Sequence, residues 1–127
     1  MIHIIMATYN GELYIEEQLN SIIAQTYTEW KLWIHDDGST DNTVAILQDY
    51  QQVYPDKIVI IESDNKHLGA KKNYAYLYEH VPIADYYAFC DQDDIWSQDK
   101  LDVLMSFAEE SDQTRPALIY HDINILL

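Results

Sequence analysis

Residues 86–100 read YYAFCDQDDIWSQDK. Tyr86, Tyr87, Ala88, Phe89 and Cys90 form a short aromatic-rich apolar run of the kind that makes a buried strand. The run stops at Asp91, Asp93 and Asp94. Ser97 can then cap a helix from about Gln98 to Glu110, with Leu101, Leu104, Met105 and Ala108 inward. A strand passing through a polar loop into a helix is the repeating unit of an α/β sheet. Carboxylates placed this close raise one another's free energy unless a cation neutralises them, and hard oxygen donors suit Mg²⁺ or Mn²⁺. An acidic, solvated turn is the plain alternative. Position favours a site, because ligands of open α/β sheets sit at the carboxyl ends of strands.

The same alternation extends toward the N-terminus. Ile2 to Ala7 is apolar and β-branched apart from His3, which predicts a strand buried on both faces, with His3 reaching solvent at its start. Thr8-Tyr9-Asn10-Gly11 is a turn, and Leu13, Ile15, Leu19, Ile22 and Ile23 give the next helix its apolar stripe, with Glu16, Glu17, Gln18 and Asn20 facing water. That helix should end near Gln25 and Thr26. Trp30 to His35 reads as a second strand, with Trp30, Leu32 and Ile34 on one face and Lys31, Trp33 and His35 on the other. Asp36 to Asn42 opens a second helix lined by Val44, Leu47, Tyr50 and Tyr54 and closed by Pro55. Ile58 to Ile61 is a third strand, Ser63 to Gly69 a polar loop, and Ala70 to His80 a third helix with Tyr74, Leu77, Tyr78 and Val81 inward. Ala117 to Ile123 reads as a fifth strand with nothing closing it, so the chain reads as truncated, with Ile125, Leu126 and Leu127 lacking cover. Strict alternation implies a Rossmann-like, mainly parallel sheet with helices on both faces and right-handed crossovers.

A chain of 127 residues, 48% of them hydrophobic, is one domain with a real core. Seven basic residues against 22 acidic ones give a formal charge of −15, which argues against a nucleic-acid partner. A phosphate-bearing ligand would need a metal to be tolerated. Cys90 is the only cysteine, so no internal disulfide can form and a reducing compartment fits; it reads as core, not nucleophile. No apolar run approaches the length of a membrane helix, so the expected location is cytoplasmic and any membrane association must come from outside this stretch.

Three strand ends carry chemistry: Thr8, Tyr9 and Asn10 after the first, Asp36 and Asp37 after the second, Asp91, Asp93 and Asp94 after the fourth. In a sheet of order 3-2-1-4 those loops share one crevice. The crevice combines a ring that can stack on a base, a carboxylate that can accept from a base N–H, and carboxylates for a metal on a pyrophosphate. Neither a G-x-G-x-x-G nor a P-loop occurs, so a metal, not backbone amides, would carry the phosphate charge.

Ala7-Thr8-Tyr9-Asn10-Gly11, Gln25-Thr26-Tyr27, Asp36-Asp37-Gly38-Ser39-Thr40-Asp41-Asn42-Thr43 and Asp91-Gln92-Asp93-Asp94-Ile95-Trp96, followed by Asp99-Lys100-Leu101, resemble a family 2 glycosyltransferase of the GT-A fold. The likeness covers nearly the whole chain and is nearest to bacterial rhamnosyltransferase-type members that build cell-wall, capsular or O-antigen polysaccharide. The resemblance implies that Thr8 and Tyr9 line a nucleoside site and that Asp37 accepts from a pyrimidine N3–H. It implies that Asp91 and Asp93 form a D-x-D motif, with Asp93 on the metal and Asp91 on ribose or metal. Asn65, Gly69 and Asn73 match a family pattern approximately, but Lys72 stands where an arginine is usual. Lys72 keeps the charge and loses bidentate geometry, and reads equally well as a solvated helix edge.

The implied reaction is inverting transfer from dTDP-rhamnose or a UDP-sugar to a saccharide or lipid-linked acceptor, with Mg²⁺ or Mn²⁺ stabilising the leaving diphosphate. In such proteins the base lies further along, so residues 1–127 should hold the donor half of the site. A Mg²⁺-dependent phosphatase or phosphotransferase is one rival, weakened because its D-x-D typically ends the first strand. A non-catalytic nucleotide-sugar or protein-binding module is the other.

Overall fold

The computed structural model describes residues 1–62, 67–91 and 94–110. The elements alternate as β1 (Ile2–Thr8), α1 (Ile15–Ile23), β2 (Trp30–Asp36), α2 (Thr43–Val53), β3 (Ile58–Ile60), α3 (Ala70–His80), β4 (Tyr86–Asp91) and α4 (Lys100–Glu110). All strand pairs are parallel, in the order β3-β2-β1-β4. The α/β class, the order and the placement of helices on both faces are those the sequence predicts.

The period-2 pattern of the strands divides the core. On one face Ile2, Ile4 and Met6 of β1 pack with Trp30, Leu32 and Ile34 of β2 under Ile15, Leu19 and Ile22 of α1, Leu47 of α2 and Leu101 of α4. On the other, Ile5 meets Leu77 and Val81 at α3, flanked by Trp33, Tyr74 and Tyr87. Each fully buried Ile or Leu contributes on the order of 2 kcal/mol, so the first face supplies most of the stability and the second, with one helix, holds the fold less firmly.

Several sequence expectations are corrected. Leu13 is 81% exposed, because α1 begins only at Ile15. Gln18 is fully buried on the inner stripe of α1, where its amide reaches Cys90 Sγ. The same helix stops at Ile23, before Gln25. His3 is buried, its Nδ1 lying 3.1 Å from the Pro82 carbonyl oxygen and its ring tilted against Trp33. Tyr54 and Tyr78 are exposed. β4 is a buried strand only at Cys90: it is the edge of the described sheet, and Phe89 is exposed. The expected fifth strand and the apolar residues after it lie outside the described residues.

Candidate functional site

Register brings the chemistry to one rim. Thr8 pairs with Asp36 and Ala7 with Asp91, so β1, β2 and β4 end level with one another. The Asp37 amide then donates to the Thr8 carbonyl at 2.9 Å, which keeps the next residue beside β1 as the strands part. A cleft of about 290 Å³ opens there. Thr8 and Tyr9 enter it from β1, Asp37 from β2 and Asp91 from β4, while His67 and the first turn of α3, with Ala70, Asn73 and Tyr74, form the opposite wall.

The loops after β1 and β2 are fastened to each other. Asp36 accepts from the hydroxyls of Thr8 (2.7 Å) and Ser39 (2.6 Å) and from the amides of Gly38 (3.1 Å) and Ser39 (2.8 Å). Asn10 takes φ +47°, a left-handed conformation that Asn tolerates, and its Oδ1 accepts from the Thr40 amide at 2.8 Å. The Glu12 amide donates to Asp41, whose carboxylate also holds the amide and hydroxyl of Thr43. Burial alone would raise the Asp41 carboxyl; these bonds outweigh it and hold the group low. Asp36 and Asn10 therefore serve this scaffold, whereas Asp37 faces the cleft.

Asp37 is 2% exposed, an unusual burial for a carboxylate, and its neighbours explain it. Oδ1 accepts from the Leu68 amide at 2.5 Å and Oδ2 from the Gly69 amide at 2.8 Å. These amides belong to the loop opening α3, where Gly69 has φ +88°, ψ 156°, a conformation open to glycine and strained for other residues. His67 Nδ1 lies 2.8 Å from Asp37 Oδ2, and its ring is centred 4.4 Å from that of Tyr9. Two carboxylate oxygens offer about four lone-pair directions, so Asp37 keeps capacity for a ligand donor.

Asn73 is buried, its Oδ1 against His35 Nδ1 and its Nδ2 donating to the His35 carbonyl at 3.1 Å, so α3 is clasped to the end of β2. On the β4 side, the Tyr74 hydroxyl lies 2.7 Å from Asp91 Oδ1 and 2.9 Å from the Cys90 carbonyl oxygen. Burial first, and the Asp91 carboxylate second, push the Tyr74 hydroxyl far above its ordinary range, so it stays a donor. Burial likewise pushes up the Cys90 thiol, which fits a core residue and not a nucleophile. The Asp94 amide donates to the Asp91 carbonyl at 3.2 Å. Beyond it Gln25 docks the loop: its Oε1 accepts from the Leu101 amide (3.0 Å) and its Nε2 donates to the Ser97 carbonyl (2.6 Å). That double contact is a physical reason for the Gln25-Thr26-Tyr27 motif so far from the acidic cluster.

For a divalent cation, Asp91 offers an exposed hard-oxygen donor at the cleft rim, chemistry that fits Mg²⁺ or Mn²⁺. Asp93 lies outside the described residues, and among the described residues no group of three potential ligands gathers. Lys72 is exposed on α3 and is absent from the cleft lining. The structure adds His67, Asn73 and Tyr74 to the wall. His67 sat in what the sequence shows only as a polar loop, Asn73 stood out only as an approximate match to a family pattern, and Tyr74 was read for packing alone.

The family described as Glycosyl transferase family 2 matches residues 3–123. The dTDP-rhamnosyl transferase RfbG of Shigella flexneri is 51% identical over 98 residues, 76% of this chain and 34% of that protein. The Escherichia coli UDP-Glc:alpha-D-GlcNAc-diphosphoundecaprenol beta-1,3-glucosyltransferase WfgD is 32% identical over 107 residues, 84% of this chain and 40% of its own length. Among solved structures, S. aureus TarS in complex with UDP-GlcNAc superposes with a TM-score of 0.76 at 27% identity, covering 86% of this chain and 31% of that one. The mannosyltransferase PcManGT from Pyrobaculum calidifontis, in complex with GDP-Man and Mn²⁺, gives 0.71 at 25% identity, covering 79% of this chain and 30% of that one. The chain thus spans about a third of the length of these proteins. The parallel sheet, its order and these neighbours agree on the GT-A architecture. With its family matched over nearly every residue and a relative half identical to it, this chain belongs to glycosyl transferase family 2.

Proposed function

We propose that this chain is the donor-binding part of an enzyme that transfers a glycosyl group from a nucleoside-diphosphate sugar to a saccharide or lipid-linked acceptor in bacterial polysaccharide synthesis. One observation carries the reading: Tyr9, Asp37 and Asp91, from three separate strands, open onto a single cleft. Tyr9 supplies a ring face for the base and Asp37 an acceptor for a ring N–H. A pyrimidine with a protonated N3 meets both, which favours UDP or dTDP, in keeping with the donors in the names of the RfbG and TarS complexes.

The diphosphate is assigned to the Asp91 side. With a formal charge of −15 and the exposed Lys72 off the cleft lining, phosphate binding calls for a counter-charge that the described wall lacks. Asp91 and Asp93 would hold Mg²⁺ or Mn²⁺, which as a Lewis acid would stabilise the departing diphosphate. Tyr74 holds the Asp91 carboxylate in place, and the Asp36 and Asn10 hydrogen bonds keep the two nucleoside loops rigid. Asp37 and Asp91 are the carboxylates of the described cleft, and both face the donor. The base that takes the proton of the acceptor hydroxyl, as that hydroxyl attacks opposite the diphosphate with inversion, is assigned to neither of these two carboxylates.

Calorimetry with UDP, dTDP and phosphate esters, with and without Mn²⁺, tests the reading. Metal-dependent binding of a pyrimidine diphosphate is expected. Turnover of phosphate esters would point instead to a phosphatase, and absence of binding to any of them would overturn the donor site.

A further inference from the structure

His67 makes the two contacts that the proposed nucleobase would make. Its ring is centred 4.4 Å from the Tyr9 ring at 41°, and its Nδ1 is 2.8 Å from Asp37 Oδ2 and 3.2 Å from the Asp37 carbonyl oxygen. It is a planar heteroaromatic ring with an N–H able to point at the carboxylate, as in a pyrimidine imide. A third ring sandwiched between Tyr9 and His67 would hold them roughly 7 Å or more apart, so no base enters between them as they stand.

We infer that His67 is an internal placeholder for the donor's nucleobase, occupying the seat made by Tyr9 and Asp37 until the nucleotide displaces it. The inference rests on the donor-site reading above, since it takes that seat as the base's. Displacement is cheap in structural terms: the His67 side chain is 56% exposed, so it can turn out into water, and its contact is one of three that hold the Asp37 carboxylate. The Leu68 and Gly69 amides continue to hold Asp37 when the imidazole leaves, so the carboxylate stays oriented for the base. Apparent donor affinity is then the intrinsic affinity reduced by the fraction of molecules in which the ring is already out.

The test compares wild type, His67→Ala and Asp37→Asn by calorimetry with UDP and dTDP in Mg²⁺. His67→Ala is expected to bind about three- to tenfold more tightly than wild type, the strength of about one hydrogen bond and one ring contact. Asp37→Asn is expected to bind at least about tenfold more weakly. Unchanged or weakened binding in His67→Ala, with Asp37→Asn still impaired, overturns the placeholder and leaves the donor site standing. Wild-type affinity in Asp37→Asn, or no binding by any variant, overturns the donor site and the placeholder with it. A second readout needs no variant: the His67 ring resonances of the wild type should lose their Tyr9 ring-current shift at saturating UDP. Persistence of that shift in the saturated protein contradicts displacement.

Discussion

The Tyr74 hydroxyl, carried on α3, lies 2.7 Å from Oδ1 of Asp91 at the end of β4. The contact ties the helix on the thinner side of the sheet to the carboxylate assigned to the diphosphate end of the cleft. Tyr74→Phe keeps the ring and removes the bond. Unfolding free energy in urea should fall by about 1 kcal/mol, the usual net value of a hydrogen bond. Metal-dependent UDP binding should weaken about threefold to tenfold, as Asp91 samples other rotamers. A variant that binds UDP as the wild type does would assign Tyr74 to packing alone.

The buried pair His35 and Asn73 makes a stronger stability prediction. Asn73→Ala leaves the His35 ring nitrogen and carbonyl without their partner in a place water reaches poorly. An orphaned buried polar group costs about 1–3 kcal/mol, so chemical denaturation should show a loss of about 2 kcal/mol or more. Because the clasp also sets the start of α3, where Leu68 and Gly69 bind Asp37, nucleotide affinity should fall too. A loss below about 0.5 kcal/mol, the range of an ordinary surface change, would contradict the clasp.

His3 gives a pH dependence with a definite sign. Burial depresses its pKa below 6.5, outweighing the hydrogen bond with the Pro82 carbonyl, and Lys31 and the N-terminal charge depress it further. The unfolded chain therefore binds the proton more readily than the folded one, and stability falls as pH drops below 6.5 toward the depressed value. Above 6.5 both states hold a neutral imidazole and this contribution is flat. Replacing His3 with Asn should reduce the slope of urea stability against pH in that window. An unchanged slope would place its origin elsewhere.

Much of this was legible in the sequence because parallel strands buried on both faces read as apolar runs, and the loops at their ends as clusters of Asp, Asn, Gly, Ser and Thr. The residues Thr8, Tyr9, Asp37 and Asp91 follow from that pattern plus the sheet order. His67 did not, since nothing local marks one polar loop residue as the partner of an aspartate thirty positions earlier. Gln18 was misjudged, and the clasp of Asn73 on His35 not foreseen, for a related reason: hydrophobic periodicity cannot see a polar side chain whose partner comes from another element. His3 was placed in solvent by its polarity, whereas Trp33 and the Pro82 carbonyl make its burial tolerable. The exposure of Phe89 was likewise invisible, because an aromatic residue in an apolar strand run reads as core.

Asp93 carries the assignment that the motif makes most directly. Asp93→Ala should abolish metal-dependent binding of UDP or dTDP while leaving the circular dichroism spectrum and urea midpoint near those of the wild type. Retained metal-dependent affinity would remove Asp93 from the ligand set and shift the cation to Asp91 and its other neighbours.

The most direct test is a crystal of the protein soaked with UDP or dTDP and Mn²⁺. The base should lie against Tyr9 with its N3 within hydrogen-bond reach of Asp37, His67 turned away, and the diphosphate running to Mn²⁺ on the Asp91 and Asp93 side of the same cleft. Nucleotide density on another face, or a base in this cleft with no contact to Asp37, would contradict the account.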